Sequence, residues 1–179
     1  MEIDSHPLPS ALVLRPEIFR DERGLFIKPY SCEEFRAIGL DFQPREEFYS
    51  ISRKGVLRGM HFQLPPREHD KVVHCVRGSA LDVILDLRRG SPTFGKSAAI
   101  NLSAGNHLLI WIPKGFAHGF LSLEEETLMV YLTGSSYSAM HDSGVRWDSF
   151  GFDWPEADPV ISARDSRLEA FSEWTSPFE

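Results

Sequence analysis

The chain has little cysteine, no long apolar run and no excess of basic residues. Only two of its 179 residues are cysteines, Cys32 and Cys75, which is too few for a disulfide framework and favours free thiols in a reducing compartment. No apolar run approaches the ~18 residues needed to cross a bilayer. The first residues also lack the basic and apolar regions of a signal peptide. These absences predict a cytoplasmic protein with no membrane partner.

Charge and composition narrow the class of protein further. Acidic residues outnumber basic ones by 26 to 19, which gives a net charge of −7 and argues against nucleic acid as a partner. Hydrophobic residues make up 42% of the chain, an ordinary globular value. A chain of this length can bury a core without disulfides. We therefore expect one domain spanning residues 1–179.

Short apolar segments separated by turn residues dominate the pattern. Alternation is clearest at 80–87, where Leu81, Val83 and Leu85 fall on one face of a strand and Asp82 and Asp86 on the other. Repeated short strands of this kind favour an all-β antiparallel sandwich or barrel. The predicted strands are 11–14, 25–30, 48–53, 72–76, 80–87, 97–102, 107–112 and 128–133.

Few helices are expected around these strands. Ser31 followed by Glu34 has the form of a capping box, and Gly39 is a natural helix end, so one short helix is predicted at 32–38. A second short helix is predicted within 162–171.

Polar side chains interrupt several of the apolar segments. Taken singly, each is more typical of a hydrogen-bonded core residue than of a catalyst. Taken together, two histidines, two cations and a phenol on one small β scaffold favour an acid–base site. The residues concerned are Arg58, His61, Lys71, His118 and Tyr131.

Longer motifs stand in one order within the span from about residue 15 to residue 166. They are Asp21-Glu22-Arg23-Gly24-Leu25-Phe26, Gly55-Val56-Leu57-Arg58-Gly59-Met60-His61-Phe62-Gln63, Ser91-Pro92-Thr93-Phe94-Gly95, Pro113-Lys114-Gly115-Phe116-Ala117-His118-Gly119-Phe120 and Ile161-Ser162-Ala163-Arg164-Asp165. Together they resemble the dTDP-4-dehydrorhamnose 3,5-epimerase family. The resemblance implies a jelly-roll cupin barrel and a homodimer whose N-terminal strands cross to the partner. It also implies epimerisation of a nucleotide-linked 4-keto-6-deoxy sugar with neither metal nor other cofactor.

The resemblance also implies a role for individual residues. His61 matches the general base, Asp165 the carboxylate that orients it, and Tyr131 the acid on the opposite face of the sugar. Lys71 matches the cation beside the developing enolate. The remaining matches are substrate-binding positions: Arg23 and Arg58 for the diphosphate, Ser50, Asp82 and His118 for the pocket wall, Tyr137 near the sugar, and Phe26, Lys28 and Glu46 for the nucleotide side.

A metal site is not expected. The segment from Pro113 to His118 has the Pro-x-Gly-x-x-His form of cupin barrels, many of which bind a metal through a His-x-His pair. Here that pair is replaced by His61-Phe62-Gln63, so one ligand is missing. A zinc or iron site needs three or four placed ligands.

Several positions depart from the family pattern and leave the substrate open. Lys28 stands where the family commonly has Glu, and Glu46 and Phe48 stand where it has Gln and Asn; Leu132 replaces a Lys. The opposite charges of Lys28 and Glu46 are also compatible with a pair across adjacent strands. A GDP- or CDP-linked sugar, a single-position epimerase or ketoisomerase, and a catalytically silent sugar-nucleotide-binding protein therefore remain alternatives.

Overall fold

Thirteen strands account for most of the regular structure in the computed structural model, which describes residues 1–179. Most strands have four to eight residues, the usual length in all-β domains. They are β1 Glu2–Ser5, β2 Leu12–Arg15, β3 Ile18–Asp21, β4 Gly24–Ile27, β5 Glu46–Ser52, β6 Leu57–Gln63, β7 Lys71–Arg77, β8 Ser79–Asp86, β9 Ser97–Ser103, β10 Leu109–Ile112, β11 Phe116–Ser122, β12 Thr127–Thr133 and β13 Asp142–Gly144.

Two antiparallel sheets face each other and form the expected jelly-roll barrel. One has six strands in the order β1-β2-β10-β7-β12-β5, and the other has five in the order β13-β6-β11-β8-β9. Strands β3 and β4 form a separate two-stranded ribbon. The main core lies between the sheets and includes Val73, Ile84, Ile110 and Phe120.

Strand β8 shows why both faces of the five-stranded sheet are buried. Ile84 faces the main core, whereas Val83 and Leu85 on the opposite face join a second cluster with Phe62 and Phe178. The C-terminal arm thus covers the outer face of this sheet. The residues that alternate at 80–87 therefore contact one core on each face of the strand. No helix in the structure is long and apolar enough to cross a membrane.

The helices are fewer than the sequence suggests. The first predicted helix is present as α1, Cys32–Ala37, but Ser31 makes no side-chain bond to its backbone. Its hydroxyl donates instead to Glu33, so the predicted capping box does not form. The helix predicted within 162–171 is wrong. Only a single 3-10 turn forms at Asp165–Arg167, because the chain is extended from Leu168.

Sequence periodicity misses the strands that carry glycine or short polar segments, namely β1, β3, β6, β11 and β13. Strands β6 and β11 approach closely at Gly59 and Gly119: a Cβ added to Gly59 would lie 2.5 Å from the Gly119 Cα. Only glycine permits this approach of the two backbones. The pairing sets His61 directly opposite His118, so these glycines place the two histidines side by side.

Candidate active site

A cavity of about 620 Å³ opens between the two sheets. Such a volume suits a small-molecule ligand. Side chains from both sheets line it, with His61 and His118 on the five-stranded sheet and Lys71 and Tyr131 on the six-stranded sheet. Asp165 enters from the 3-10 turn. The site therefore lies where the two sheets face each other, and each sheet contributes different chemistry.

His61 and Asp165 form the first functional pair. The His61 Nε2 lies 2.7 Å from the Asp165 Oδ1. An ionised carboxylate only accepts hydrogen bonds, so the Nε2 carries the proton and the neutral ring keeps a lone pair on Nδ1. Burial by itself would raise the pKa of Asp165. The interaction with His61, with smaller contributions from the Gly59 amide and Arg164, outweighs it and lowers that pKa. Asp165 thus stays ionised and orients the imidazole.

Lys71 is a buried cation in the cavity wall. Burial lowers the pKa of its ammonium to about 8, against the partial compensation of Asp82 and Asp142. The ammonium makes no ion pair within 4.0 Å in the structure. A cation that is desolvated and not neutralised by contact with a carboxylate can interact strongly with an oxyanion.

Behind His118 lies a second histidine–carboxylate pair. The His118 Nε2 lies 2.8 Å from the Asp82 Oδ2, and both side chains are buried. Burial lowers the pKa of His118 despite Asp82, which favours the neutral ring. Asp82 was expected to line the pocket. It is instead fully buried, with its carboxylate at His118, and it is not part of the cavity lining.

Tyr131 faces the cavity from β12. Burial raises the pKa of its hydroxyl well above the ordinary tyrosine value, so the group is a protonated donor at neutral pH. The hydroxyl lies 3.4 Å from the Ser50 Oγ. The edge of the ring points towards the His118 ring, with centroids 6.1 Å apart. Tyr131 thus meets the histidine side of the cavity across the gap between the sheets.

The mouth of the cavity is crossed by a chain of hydrogen bonds. Glu46 accepts the backbone N–H of Tyr137 at 3.0 Å, and the Tyr137 hydroxyl donates to Asp142 at 3.3 Å. Asp142 also accepts from Arg164 at 2.8 Å. Glu46 is therefore engaged with the Tyr137 backbone. The Lys28–Glu46 pair that the charges would allow does not form within the chain, because Lys28 lies beside the separate ribbon.

Most of the residues selected from the sequence meet at this cavity, and four do not: Asp82, which is buried beside His118, and three residues of the ribbon. Arg58 lies in the wall and donates from Nε to the Ser52 Oγ at 3.1 Å. Arg23, Phe26 and Lys28 belong to the β3–β4 ribbon and its end, outside the cavity lining. The other residues that line the cavity as expected are His61, Lys71, Tyr131, Asp165, Glu46, Ser50, His118 and Tyr137.

Some cavity residues were missed from the sequence. Gln63 and Thr133 each lie two residues beyond a selected residue on the same strand, so strand periodicity alone would have found them. Asp142 carries no comparable signal, and Arg164 stands in one of the motifs but its pairing with Asp142 is seen only in the fold. The described chain contains no group of three or more His, Cys, Asp or Glu side chains that could hold a metal ion.

Fold and site define a class of protein: a jelly-roll enzyme that moves protons at carbon, with an oriented histidine on one sheet facing a phenol and an ammonium on the other. Comparison with known proteins specifies the family. Residues 5–173 match the family model of dTDP-4-dehydrorhamnose 3,5-epimerase, and the chain belongs to this family. Its members are isomerases, as the resemblance in the motifs implied.

Individual relatives agree with this assignment. A dTDP-4-dehydrorhamnose 3,5-epimerase of Shigella flexneri is 41% identical over 174 residues, 96% of each chain. The crystal structure of the Bacillus anthracis enzyme, with TDP and pyrophosphate bound, superposes with a TM-score of 0.92 at 36% identity, covering 94% of this chain and 98% of that one. A 3′-monoepimerase of Streptomyces bikiniensis in complex with dTDP-quinovose gives 0.87 at 33% identity, covering 94% and 88%. The same fold thus serves enzymes that differ in the number of centres inverted.

Proposed function

We propose that the protein inverts C3 and C5 of a nucleotide-linked 4-keto-6-deoxy sugar, as a dTDP-4-dehydrorhamnose 3,5-epimerase does. One observation carries the proposal: the His61–Asp165 pair and Tyr131 lie on opposite sheets of one cavity. Facing sheets are about 10 Å apart, which leaves room for a sugar ring between a base and an acid. Removal of a proton on one face and its return on the other inverts the carbon.

The proposed chemistry begins at His61. Its Nδ1 takes the proton from the carbon next to the C4 ketone, and the electron pair of the broken C–H bond moves to the ketone oxygen. Lys71 stabilises the resulting enolate oxygen, and His118 lines the same pocket from the facing sheet. Such preorganised charge is usually the largest single contribution to a rate enhancement.

The second half of the step uses Tyr131. Its hydroxyl gives a proton to the opposite face of the carbanion, the C4 ketone re-forms, and the phenolate is left on the protein. Proton exchange with water restores Tyr131 and removes the proton from His61. The second centre is inverted by a repeat of the same transfers. The scheme needs no added cofactor.

An exchange experiment in D₂O tests this function. The wild-type protein with dTDP-4-keto-6-deoxyglucose is expected to place deuterium at C3 and C5, as read by NMR. His61→Ala is expected to abolish exchange at both carbons, and His6→Ala, an exposed histidine outside the cavity, is the matched control. No exchange by the wild type would reject the function. Full exchange by the His61 variant would reject the base.

The nucleotide carrier and the number of centres are read in the same experiment. The mouth of the cavity carries Glu46 and Phe48 in place of the usual amides, so the substrate panel includes GDP- and CDP-linked sugars. A site built to hydrogen-bond one group strongly rejects an analogue that lacks it. We expect the dTDP substrate to be preferred, as in the named relatives. Deuterium at C3 alone would indicate a single-position epimerase like the Streptomyces bikiniensis protein.

The β3–β4 ribbon supports a homodimer as part of the proposal. Phe19, Leu25 and Phe26 are all about half exposed on it, and β5 is an open edge of the six-stranded sheet. An unpaired edge accepts a strand from another chain. A second copy that lays its ribbon beside β5 buries these side chains and brings its Arg23, Phe26 and Lys28 to the mouth of the cavity.

The free thiols support a cytoplasmic location.

The dimer is tested with Phe26→Asp. A charge at this position is expected to give a monomer in analytical ultracentrifugation and a raised KM for the nucleotide sugar. The control is Phe94→Asp, an exposed phenylalanine in the connection between β8 and β9. A Phe26 variant that stays dimeric with an unchanged KM would contradict the arrangement.

A further inference from the structure

Phe48 covers one face of the tyrosine in the cavity. It lies directly opposite Tyr131 in the pairing of β5 with β12. The two rings are nearly parallel, with an interplanar angle of 11° and centroids 4.7 Å apart. Phe48 is 48% exposed, whereas Tyr131 is 8% exposed. The phenylalanine thus stands on the solvent side of the pair and the tyrosine on the inner side.

The polar and aromatic contacts of Tyr131 other than Phe48 orient it only weakly. The hydroxyl contact with Ser50 is 3.4 Å long, near the limit of a hydrogen bond. The His118 ring lies at a centroid distance of 6.1 Å and is tilted by 66°. Stacked aromatic pairs are worth more than their buried area alone. The core cluster packs against Tyr131 from the inner side, and the stack with Phe48 restricts the plane of the ring from the solvent side.

Phe48 also separates the phenol from water. It lies on β5, the edge strand of its sheet, and lines the cavity on the side of the mouth. A smaller or flexible side chain there would let solvent reach the face of Tyr131. Water at that face would compete with the phenol for hydrogen bonds and for protonation of the carbanion.

We propose that Phe48 is a positioning residue for Tyr131: its ring holds the phenol against the substrate and keeps water from that face, so that the carbanion is protonated from the tyrosine side. This inference rests on the proposed function. It predicts how often the enolate is protonated by Tyr131 on one face and by His61 on the other. When Tyr131 is misplaced, the enolate is reprotonated more often by His61 on the face from which the proton was taken. Where the proton on His61 has first exchanged with solvent, the substrate takes up a solvent proton without inversion.

The test is the ratio of deuterated, uninverted substrate to inverted product at low conversion in D₂O. Phe48→Leu keeps an apolar side chain but removes the stack, and we expect the ratio to rise roughly five- to tenfold, as the loss of an aromatic pair implies. Tyr49→Leu is the matched control. That neighbouring side chain is 67% exposed and outside the cavity lining, and its ratio should equal that of the wild type.

A second pair of variants separates positioning from general damage. Phe48→Tyr retains an aromatic ring and should give the wild-type ratio. Phe48→Met is used in place of Phe48→Leu if circular dichroism shows that the leucine variant folds poorly. A ratio within twofold of wild type in the leucine or methionine variant would overturn the positioning role. A ratio raised equally in Phe48→Tyr would also overturn it. Absence of any exchange by the wild type would instead overturn the proposed function itself.

Discussion

Replacement of Lys71 by methionine should stabilise the protein and impair its reaction. The pKa of this buried ammonium is about 8, against 10.5 for an ordinary lysine. A pKa difference of one unit corresponds to about 1.36 kcal/mol, so burial of the protonated side chain destabilises the folded state by about 3 kcal/mol. Methionine has a similar length and carries no charge. At pH 7 we therefore expect Lys71→Met to raise the free energy of unfolding by up to ~3 kcal/mol.

The pH dependence of this gain has a definite sign. Below pH 8 both the folded and the unfolded wild type bind the lysine proton, so the cost of burial is present in full. Between pH 8 and 10.5 the unfolded chain binds more protons than the folded one, and wild-type stability rises with pH relative to the variant. The advantage of Lys71→Met should therefore shrink across this interval.

Urea denaturation at pH 7 and at pH 10 measures both effects. Activity should change in the opposite direction to stability. In the variant kcat should fall, because the enolate loses the cation that stabilises it. In the wild type kcat should decline as the pH passes 8, because Lys71 deprotonates. Such opposition between stability and activity is common at functional sites. A variant that is no more stable at pH 7, or whose advantage is the same at both pH values, would refute the reasoning.

Two further predictions concern the histidine side of the cavity. Asp165→Asn keeps the shape of the side chain but removes the charge that fixes the His61 tautomer, so kcat should fall by roughly 10³–10⁴-fold with little change in KM. Steady-state kinetics measure this effect. A loss of kcat smaller than tenfold would contradict the prediction. Gly119→Ala would set a Cβ 2.7 Å from the Met60 Sδ and should cost about 1–3 kcal/mol in urea denaturation. Gly105→Ala, with nothing nearer than 3.8 Å, is the control; equal losses would contradict the packing argument.

The sequence predicts the apolar strands well and the glycine-rich ones poorly. Strand β8 alternates cleanly, and its two faces contact two different cores. Strands β6 and β11 contain Gly59 and Gly119, which weaken a periodic pattern. Those same glycines let the two backbones approach. The glycines that weaken the periodic pattern are thus required by the site. The two strands are recognised from the motif resemblance and not from periodicity.

Site residues with a role in the motif resemblance are predicted better than contacts between distant segments of the chain. His61, Lys71 and Tyr131 lie on strands and all reach the cavity. Asp142 begins β13 and meets Arg164 from the segment before the 3-10 turn. That meeting depends on the path of the chain over 22 residues, which no local pattern encodes.

The residues proposed for proton transfer and two positions that depart from the family pattern all line one cavity. The His61–Asp165 pair and the buried Tyr131 are the groups proposed to move the proton, while the departures Glu46 and Phe48 lie at the mouth. Chemistry at the carbon demands a base and an acid at set distances, so these positions tolerate little change. A mouth residue meets the carrier or supports a neighbour, and its replacement changes recognition or partitioning. The placement of these residues therefore favours the proposed reaction, with altered control of substrate choice and of the enolate.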